Sequence, residues 1–540
     1  MAHTRGHWVP GDTAVPGRAA VVAGLETHSR SLAVVSTPEG PAAATSGQVV
    51  LGDGDVPPGA LPLLAYVPAL PPDALGDPGF RATYGVRVAH VAGAMANGIS
   101  SQTLVIEMAR AGMMGFFGAA GLSTDRIRAA IDRISAEVGA LPWGSNLIHS
   151  PAEPWQEQET VDLYLDRGVT VVSASAYMAL TPMVVQYRAT GMRRRSDGTA
   201  VPRNRLLAKV SRPEVAERFL RPPPDEMLRG LVAAGKLTEE EARLAATLPM
   251  ADDLTAEADS GGHTDNRPLP VLLPLLIALR DRLGAPVRVG AAGGIGCPEA
   301  AAAALSMGAA YVLTGTINQA CVESGTSEMA RALLAEAGMA DVAMAPASDM
   351  FEAGVELQVL RRGTLFAQRA AALYRLYRDY PSLEAIPAAE AKRIEETVLR
   401  ASFDTIWQRC EAFFTARDPV QLQRAQTDPK HRMALVFRWY LGKSSRWAIA
   451  GEASRRTDAQ IWCGPAIGAF NDWTRDSFLA RPEERRVAVV GANLMAGAAL
   501  QLRLGALQQQ GVDVGPLRWR PRRLHPVALP PPNRETHAAV

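Results

Sequence analysis

The sequence predicts a (β/α)₈ TIM barrel, with a small β-rich segment before it and a mostly helical substrate-binding or lid region after it. Three observations lead to this prediction. From Val86 onward, short runs of β-branched and apolar residues alternate with helix-like segments. Eight such runs lie within about 230 residues, which suits the strand number and size of this barrel. Glycine-rich turns follow the last two runs, at residues 290–296 and at Gly315.

The predicted strands are short and apolar, as expected for strands buried in a parallel sheet. They span residues 86–93, 113–118, 144–148, 169–174, 206–210, 254–258, 287–290 and 311–314. The segments between them begin at proline or at a capping Ser or Thr, which favours helices. These helices are predicted at residues 101–111, 124–138, 154–167, 181–190, 213–219, 268–283 and 298–307. An open doubly wound sheet uses the same alternation and is the alternative.

The chain divides into four predicted regions. Residues 1–80 form an N-terminal β-rich cap, and residues 81–320 form the barrel, with a helical insertion at 222–248. Residues 321–500 are the mostly helical region, in which the aromatics of residues 437–473 are expected to be core. Residues 501–540, which include a basic and proline-rich end, are predicted to be a disordered tail.

Composition excludes several classes of function. The formal net charge is +1, so there is no global electrostatic case for binding nucleic acid or an anionic membrane. Four cysteines lie far apart without metal-ligand spacing, which suits a reducing compartment. No uninterrupted apolar run of about 18 residues and no signal-peptide pattern is present, so a cytoplasmic location is expected.

The stretch at residues 289–316, VGAAGGIGCPEAAAAALSMGAAYVLTGT, predicts a phosphate site. Two successive strands end in small residues, and Pro298 begins a helix directly after the first glycine cluster. Glycines let backbone N–H groups approach an anion, and a helix N-terminus adds its positive dipole end. A tight turn without a ligand is the alternative at either strand end. Two adjacent turns of this kind favour the phosphate site.

Further candidate site residues follow other predicted strands. Gly93, Ala94, Met95 and Asn97 follow the first strand, where small residues would let a flat ring lie against the backbone. Polar candidates are Asn146 at the end of the third strand, Lys209 in the fifth, and Ser260, Gly261, Gly262 and His263 after the sixth. A lone histidine is often structural, but His263 shares a rim with the phosphate site and is therefore the catalytic candidate.

Asp252, Asp253 and Asp259 could supply paired carboxylates for acid–base chemistry, although a solvated rim is the favoured interpretation. No His or Cys accompanies His263 at ligand spacing, so no metal site is predicted.

Long motifs then identify a resemblance. GGIG followed by GAAYVLTGT, together with SGGH, resembles the nitronate monooxygenase-like FMN barrels, which include flavin-type enoyl reductases. The resemblance is closest to the trans-acting enoyl reductases of polyketide and polyunsaturated fatty acid synthases, and it covers roughly residues 70–495. The motifs that carry it are GAMANGISSQTLVIEMARAGMMGFFGAAGLS (93–123), NLIHSPAEP (146–154), AKVSRPEVA (208–216), EADSGGHTDNRPL (257–269), MAPASDMFEAGVELQVLRRGTLF (344–366), FRWYLGKSSRW (437–447) and IWCGPAIGAFNDW (461–473).

The resemblance implies an FMN cofactor and NADPH as co-substrate. The FMN phosphate would lie on Gly293, Gly294, Ile295, Gly315 and Thr316, and the ring would lie against the residues after the first strand, near Asn146 and Lys209. The substrate would be an α,β-unsaturated thioester on an acyl carrier protein, and His263 or water would protonate its α-carbon. Carrier domains of a synthase are thus the expected partners, with no nucleic acid and no membrane. A homodimer is an open alternative.

Three other functions are alternatives. They are a nitronate or alkane oxidation on the same flavin, a nucleotide dehydrogenase barrel, and a non-catalytic flavin-binding scaffold of the synthase. The dehydrogenase would need a cysteine on an earlier loop, and Cys297 and Cys321 do not fit.

Two basic clusters are candidate docking sites for an acidic carrier. Arginines at residues 193–205 are expected on the N-terminal face of the barrel, and Arg229, Lys236 and Arg243 of the insertion are expected on the active-site face. An ordinary solvated basic loop is the favoured interpretation of the first cluster.

Overall fold

A computed structural model describes residues 5–52, 55–151 and 153–524 of the chain. Its N-terminal part is a six-stranded sheet with antiparallel pairing and the order β2-β4-β3-β6-β1-β5. Helix α1 (Arg18–Glu26) packs on this sheet, and α2 (Pro78–Tyr84) follows it in the chain. The strands are β1 (Gly6–Val9), β2 (Val15–Pro16), β3 (Leu32–Thr37), β4 (Gly40–Ala44), β5 (Gln48–Leu51) and β6 (Leu61–Val67).

A closed barrel of eight parallel strands follows, which confirms the predicted fold class and excludes the open sheet. Its strands run in chain order around the barrel, and the last pairs with the first, Leu313 opposite Val91. They are β7 (His90–Ala92), β8 (Met114–Phe117), β9 (Gly144–Ile148) and β10 (Val171–Ser175), then, after a hairpin of β11 (Arg193–Arg194) and β12 (Ala200–Val201), β13 (Arg205–Val210), β14 (Asp253–Glu257), β15 (Arg288–Ala292) and β16 (Val312–Thr314).

The helices around the barrel lie where the sequence predicts them. Ser101 and Thr181 cap the helices that follow them, each accepting a hydrogen bond from a backbone N–H three residues on. The helices are α3 (Gln102–Arg110), α4 (Thr124–Val138), α5 (Pro154–Arg167), α6 (Pro182–Ala189), α7 (Pro213–Leu220), α8 (Asp225–Ala233), α9 (Glu239–Ala245), α10 (Leu269–Leu283) and α11 (Pro298–Ser306).

Helix α2 and a set of buried charges close the N-terminal end of the barrel. Phe80 of α2 stacks on Tyr311 with ring centroids 4.3 Å apart. The Arg288 guanidinium makes two bonds to Asp253, at 2.7 and 2.8 Å, and Tyr84 donates to the same carboxylate at 2.6 Å. Asp252 accepts from Arg188 and Arg205 at 2.6 and 2.7 Å. Both aspartates therefore lie at the start of β14, where they are buried and paired with arginines, and not on a solvated rim.

Replacing Arg288 by Met is expected to destabilise the barrel by about 3–5 kcal/mol, because Asp253 would keep only the Tyr84 hydroxyl as a partner in its buried position. Urea unfolding of the two proteins measures the loss. Arg221→Met is the matched control, since the Arg221–Glu217 pair is largely exposed and should contribute less than about 1 kcal/mol. Equal losses of unfolding free energy in both variants would contradict the structural role of the buried Arg288–Asp253 pair.

The helical insertion lies on the N-terminal face, so its predicted place on the active-site face is wrong. Helices α8 and α9 follow α7, not β13, and a segment between a helix and the next strand belongs at the N-terminal end of the barrel. Arg194 of the β11–β12 hairpin pairs with Glu240 of α9, and Glu241 accepts a bond from Gly191 at 2.6 Å. Both basic clusters therefore lie on one face, away from the strand ends that carry the candidate site.

The C-terminal region is mostly helical, as predicted, and it also contains a β-hairpin that the sequence reasoning missed. Four buried aromatics there, Phe437, Tyr440, Phe470 and Trp473, are core residues, as expected. The elements are α12 (Thr316–Gln319), α13 (Glu328–Ala335), β17 (Val342–Pro346), β18 (Glu356–Leu360), α14 (Phe366–Asp379), α15 (Ala388–Ile394), a π-helical turn (Glu395–Leu399), α16 (Phe403–Arg417), α17 (Pro419–Thr427), α18 (Pro429–Ala450), α19 (Ala466–Thr474) and α20 (Val487–Gln508), with short 3₁₀ turns at Pro72–Ala74, Ala453–Asp458, Phe478–Ala480 and Pro482–Glu484.

Helix α20 joins the barrel to the N-terminal sheet, and it corrects the predicted tail. It is long and apolar enough to cross a membrane, yet 78% of its most apolar window is buried in the protein. Gly497 packs against Pro298 of α11, and Arg503 donates to the Gly24, Arg30 and Pro68 carbonyls. The chain after α20 is packed as far as residue 524, with Trp519 only 3% exposed. Residues 525–540 of the predicted tail lie outside the described part of the chain.

Candidate active site

The glycine turns after β15 and β16 lie side by side at the C-terminal end of the barrel. Ala292 is paired with Leu313, so the residues that follow each strand leave the sheet together. Gly293 has φ +87° and packs against the Ala258 and Asp259 backbone, where a Cβ would come within 2.8 Å of main-chain atoms. Gly294 (φ +71°) and Gly315 instead face open space, with nothing within 4 Å of a Cβ position. This arrangement is a cradle with a packed floor and two open backbone positions.

A segment from the C-terminal region, residues 461–466, closes one side of this cradle. Gly464 donates its backbone N–H to Thr316 Oγ1 at 3.2 Å. Gly296 lies against the Ala466 carbonyl and Gly261 against the Cys463 backbone, so closely that neither position has room for a side chain. Ile295 is buried beneath. Sequence reasoning did not foresee this contact, although the glycines on both partners are its signal.

The loop after β7 carries the residues predicted to border a ring. Gly93 donates to the Thr314 carbonyl at 2.9 Å, which ties the loop to β16. Asn97 adopts φ +58° and donates its N–H to the Ala120 carbonyl at 2.7 Å. Gly118 after β8 touches the Met95 carbonyl, where a Cβ would lie only 1.7 Å away. Ala94 packs against the apolar cluster inside the barrel. The loop is thus fixed on both sides.

Polar side chains occupy the barrel mouth between β9 and β14. Asn146 is buried and donates to the Ser173 carbonyl at 3.3 Å. Lys209 Nζ lies 2.5 Å from Glu257 Oε1, and both side chains are partly exposed. Ser173 and Ser260 each bury a hydroxyl that has no hydrogen-bond partner among the described residues. Glu257 and Ser173 were not predicted. Unpaired buried hydroxyls beside an open glycine cradle fit a polar bound group, because buried polar atoms are otherwise satisfied.

His263 stands at the edge of this mouth, on the loop after β14. Its Nε2 lies 3.2 Å from Oδ1 of Asp349, a residue from the β17–β18 connection that sequence reasoning missed. Burial lowers the pKa of His263, but the Asp349 carboxylate, aided by Glu257, outweighs this and raises it above the ordinary histidine value. Asp259, the third aspartate considered for acid–base chemistry, accepts a bond from Gln358 at 3.0 Å. Among the described residues no cluster of three metal-ligating side chains occurs.

Comparison with known proteins gives two family matches. The nitronate monooxygenase family matches residues 86–404, which include the whole barrel. The inserted helical domain of the acyl-carrier-protein S-malonyltransferases matches residues 380–459.

Individual relatives align with most of this chain. The enoyl reductase domain of MlnA, from the macrolactin biosynthesis cluster of Bacillus amyloliquefaciens, is 37% identical with a TM-score of 0.76, and the match covers 81% of this chain and 98% of that one. A polyunsaturated fatty acid synthase protein of a Thraustochytrium species is 50% identical over 80% of this chain and 30% of its own length. The polyketide biosynthesis protein PksE of Bacillus subtilis is 44% identical over 80% of this chain and 57% of its own. The chain thus spans less than two thirds of these two curated relatives.

Proposed function

The chain belongs to the nitronate monooxygenase family, and from this premise we propose that it is a trans-acting FMN-dependent enoyl reductase. Its substrate is an α,β-unsaturated acyl thioester carried by an acyl carrier protein of a polyketide or polyunsaturated fatty acid synthase. NADPH is the reductant, and the location is the cytoplasm. The observation that carries the proposal is the open cradle at Gly294 and Gly315, at the same end of the barrel as His263, on a chain that spans 98% of a solved enoyl reductase domain.

The residues at the strand ends suit FMN. Open backbone at Gly294 and Gly315, with the Thr316 hydroxyl next to them, would hold the phosphate through N–H and O–H donors. Ser260, Gly261 and Gly262 line the approach from β14. Gly93, Ala94, Met95 and Asn97 would support the ring, and Asn146 and Lys209 would face its polar edge. Bound FMN supplies hydride transfer to the β-carbon of the substrate, and the barrel orients the two partners.

A protein side chain then supplies the proton that the substrate needs. As hydride reaches the β-carbon, the C=C bond is lost and the α-carbon needs a proton, which His263 donates. The raised pKa of His263 keeps the imidazole in its protonated form, able to donate, up to a higher pH.

The absorbance spectrum of the purified protein tests the proposal. We expect a yellow protein with a stoichiometric flavin spectrum that NADPH bleaches without oxygen and that an enoyl thioester restores. A nitronate oxidase would instead consume oxygen with a nitronate substrate and leave enoyl thioesters unchanged. A colourless protein, or a flavin that NADPH does not reduce, would contradict the proposal and favour a scaffold.

A further inference from the structure

We infer that Asp349 is a positioning residue for His263, which it orients through Nε2. This inference rests on the proposed function, because it assigns a partner to the proton donor of that reaction. The two side chains lie 3.2 Å apart, and they come from different parts of the chain, the barrel loop after β14 and the β17–β18 connection.

Backbone pairing fixes the loop that carries His263. Gly262 exchanges two hydrogen bonds with Gln358 of β18, at 2.9 and 2.7 Å, as a short antiparallel bridge. Gly262 has φ +82°, a conformation that favours glycine and that turns the chain just before His263. The loop that carries His263 therefore pairs with the edge of the small sheet that β17 and β18 form.

The loop that carries Asp349 belongs to the same unit and is anchored on helix α18. Ser348 donates its hydroxyl to the Arg438 carbonyl at 3.3 Å, and Arg438 Nε donates to the Ser348 carbonyl at 2.9 Å. Ala347 donates to the Val355 carbonyl at 2.8 Å across the connection. Because both loops are tied to β18, these contacts hold the backbone that carries Asp349 close to the backbone that carries His263.

The charges around the pair favour an imidazolium. Asp349 and Glu257 are the acidic groups that act on His263, and Lys209 neutralises part of Glu257. Burial raises the pKa of Asp349, but His263, with a smaller contribution from Arg438, outweighs this and lowers it, so the carboxylate stays charged. His263 Nδ1 has no hydrogen-bond partner among the described residues, so with Nε2 held by Asp349 it is the nitrogen left to meet a substrate. After the proton leaves for the α-carbon, solvent restores it, since about half of the side chain is exposed.

The test is an NMR titration of histidine-labelled protein, with and without bound FMN, in the wild type and in Asp349→Asn. The His263 signal is assigned by its absence from His263→Ala, since the chain holds nine histidines. We expect Asp349→Asn to lower the pKa of His263 while FMN content stays unchanged. The alkaline limb of kcat with an enoyl thioester should move to lower pH, with a loss of about two- to fivefold above neutral pH, the range expected for a partly exposed ion pair.

Glu352→Gln is the matched control. Glu352 is another carboxylate of the same connection, but it faces His431 Nδ1 at 2.7 Å. Its loss should leave the His263 titration unchanged. An unchanged His263 pKa in Asp349→Asn would overturn the inference. A lowered pKa with an unmoved alkaline limb would support the pairing and contradict the proton-donor role of His263, so the two failures are distinguishable.

Discussion

Replacing Gly315 by Val is expected to give a folded protein without FMN. Nothing lies within 4 Å of a Cβ at this position, and its φ of −120° lies outside the left-handed region, so the folded chain has room for the side chain. The branched side chain would then fill the space that the proposed phosphate needs. Activity with an enoyl thioester should fall by more than about a hundredfold, since the flavin supplies the chemistry.

The measurements are the flavin absorbance of the purified variant and its unfolding midpoint. Gly230→Val is the matched control, because Gly230 in α8 on the opposite face also has open space around its Cβ position. Gly294→Val should lose FMN too, but its φ of +71° adds a backbone cost of about 1–2 kcal/mol, so Gly315 gives the clearer test. Stoichiometric FMN in Gly315→Val would show that the cradle is misplaced.

The barrel could be predicted because each of its strands and helices has a recognisable pattern within a short stretch of the sequence. Parallel strands are buried on both faces and therefore appear as short apolar runs, and prolines or capping hydroxyls begin the helices. The glycine turns after β15 and β16 could be predicted too, because each lies within a few residues of the strand that it follows. The strand bounds differ from the predicted ones by at most four residues, the most at β7, which is predicted at 86–93 and spans His90–Ala92, and this changes none of these conclusions.

Features that depend on distant parts of the chain could not be predicted in this way. The contact of Gly464 with Thr316 and the pairing of His263 with Asp349 join segments that no local pattern connects. The alternation alone puts a segment between α7 and β14 on the N-terminal face, so the sequence does contain the information that corrects the predicted place of the helical insertion. The end of the chain was predicted disordered from its arginines and prolines, but Trp519 and Arg503 have partners in the fold.

His263→Ala should separate the two halves of the proposed reaction. The side chain is partly exposed at the mouth and is tied to Asp349 rather than to the glycine cradle, so its loss should leave FMN binding unchanged. Reduction of the flavin by NADPH should proceed at close to the wild-type rate. Reoxidation by an enoyl thioester should slow by about 10²- to 10⁴-fold, the contribution typical of a general acid.

Stopped-flow absorbance of each half-reaction under anaerobic conditions measures these rates. His431→Ala is the control for loss of a histidine outside the site, since His431 is buried beside Glu352 and Gln421. Equal slowing of both half-reactions in His263→Ala would indicate a structural role for this residue. Unchanged reoxidation would remove it from the mechanism and leave the α-carbon to be protonated by water.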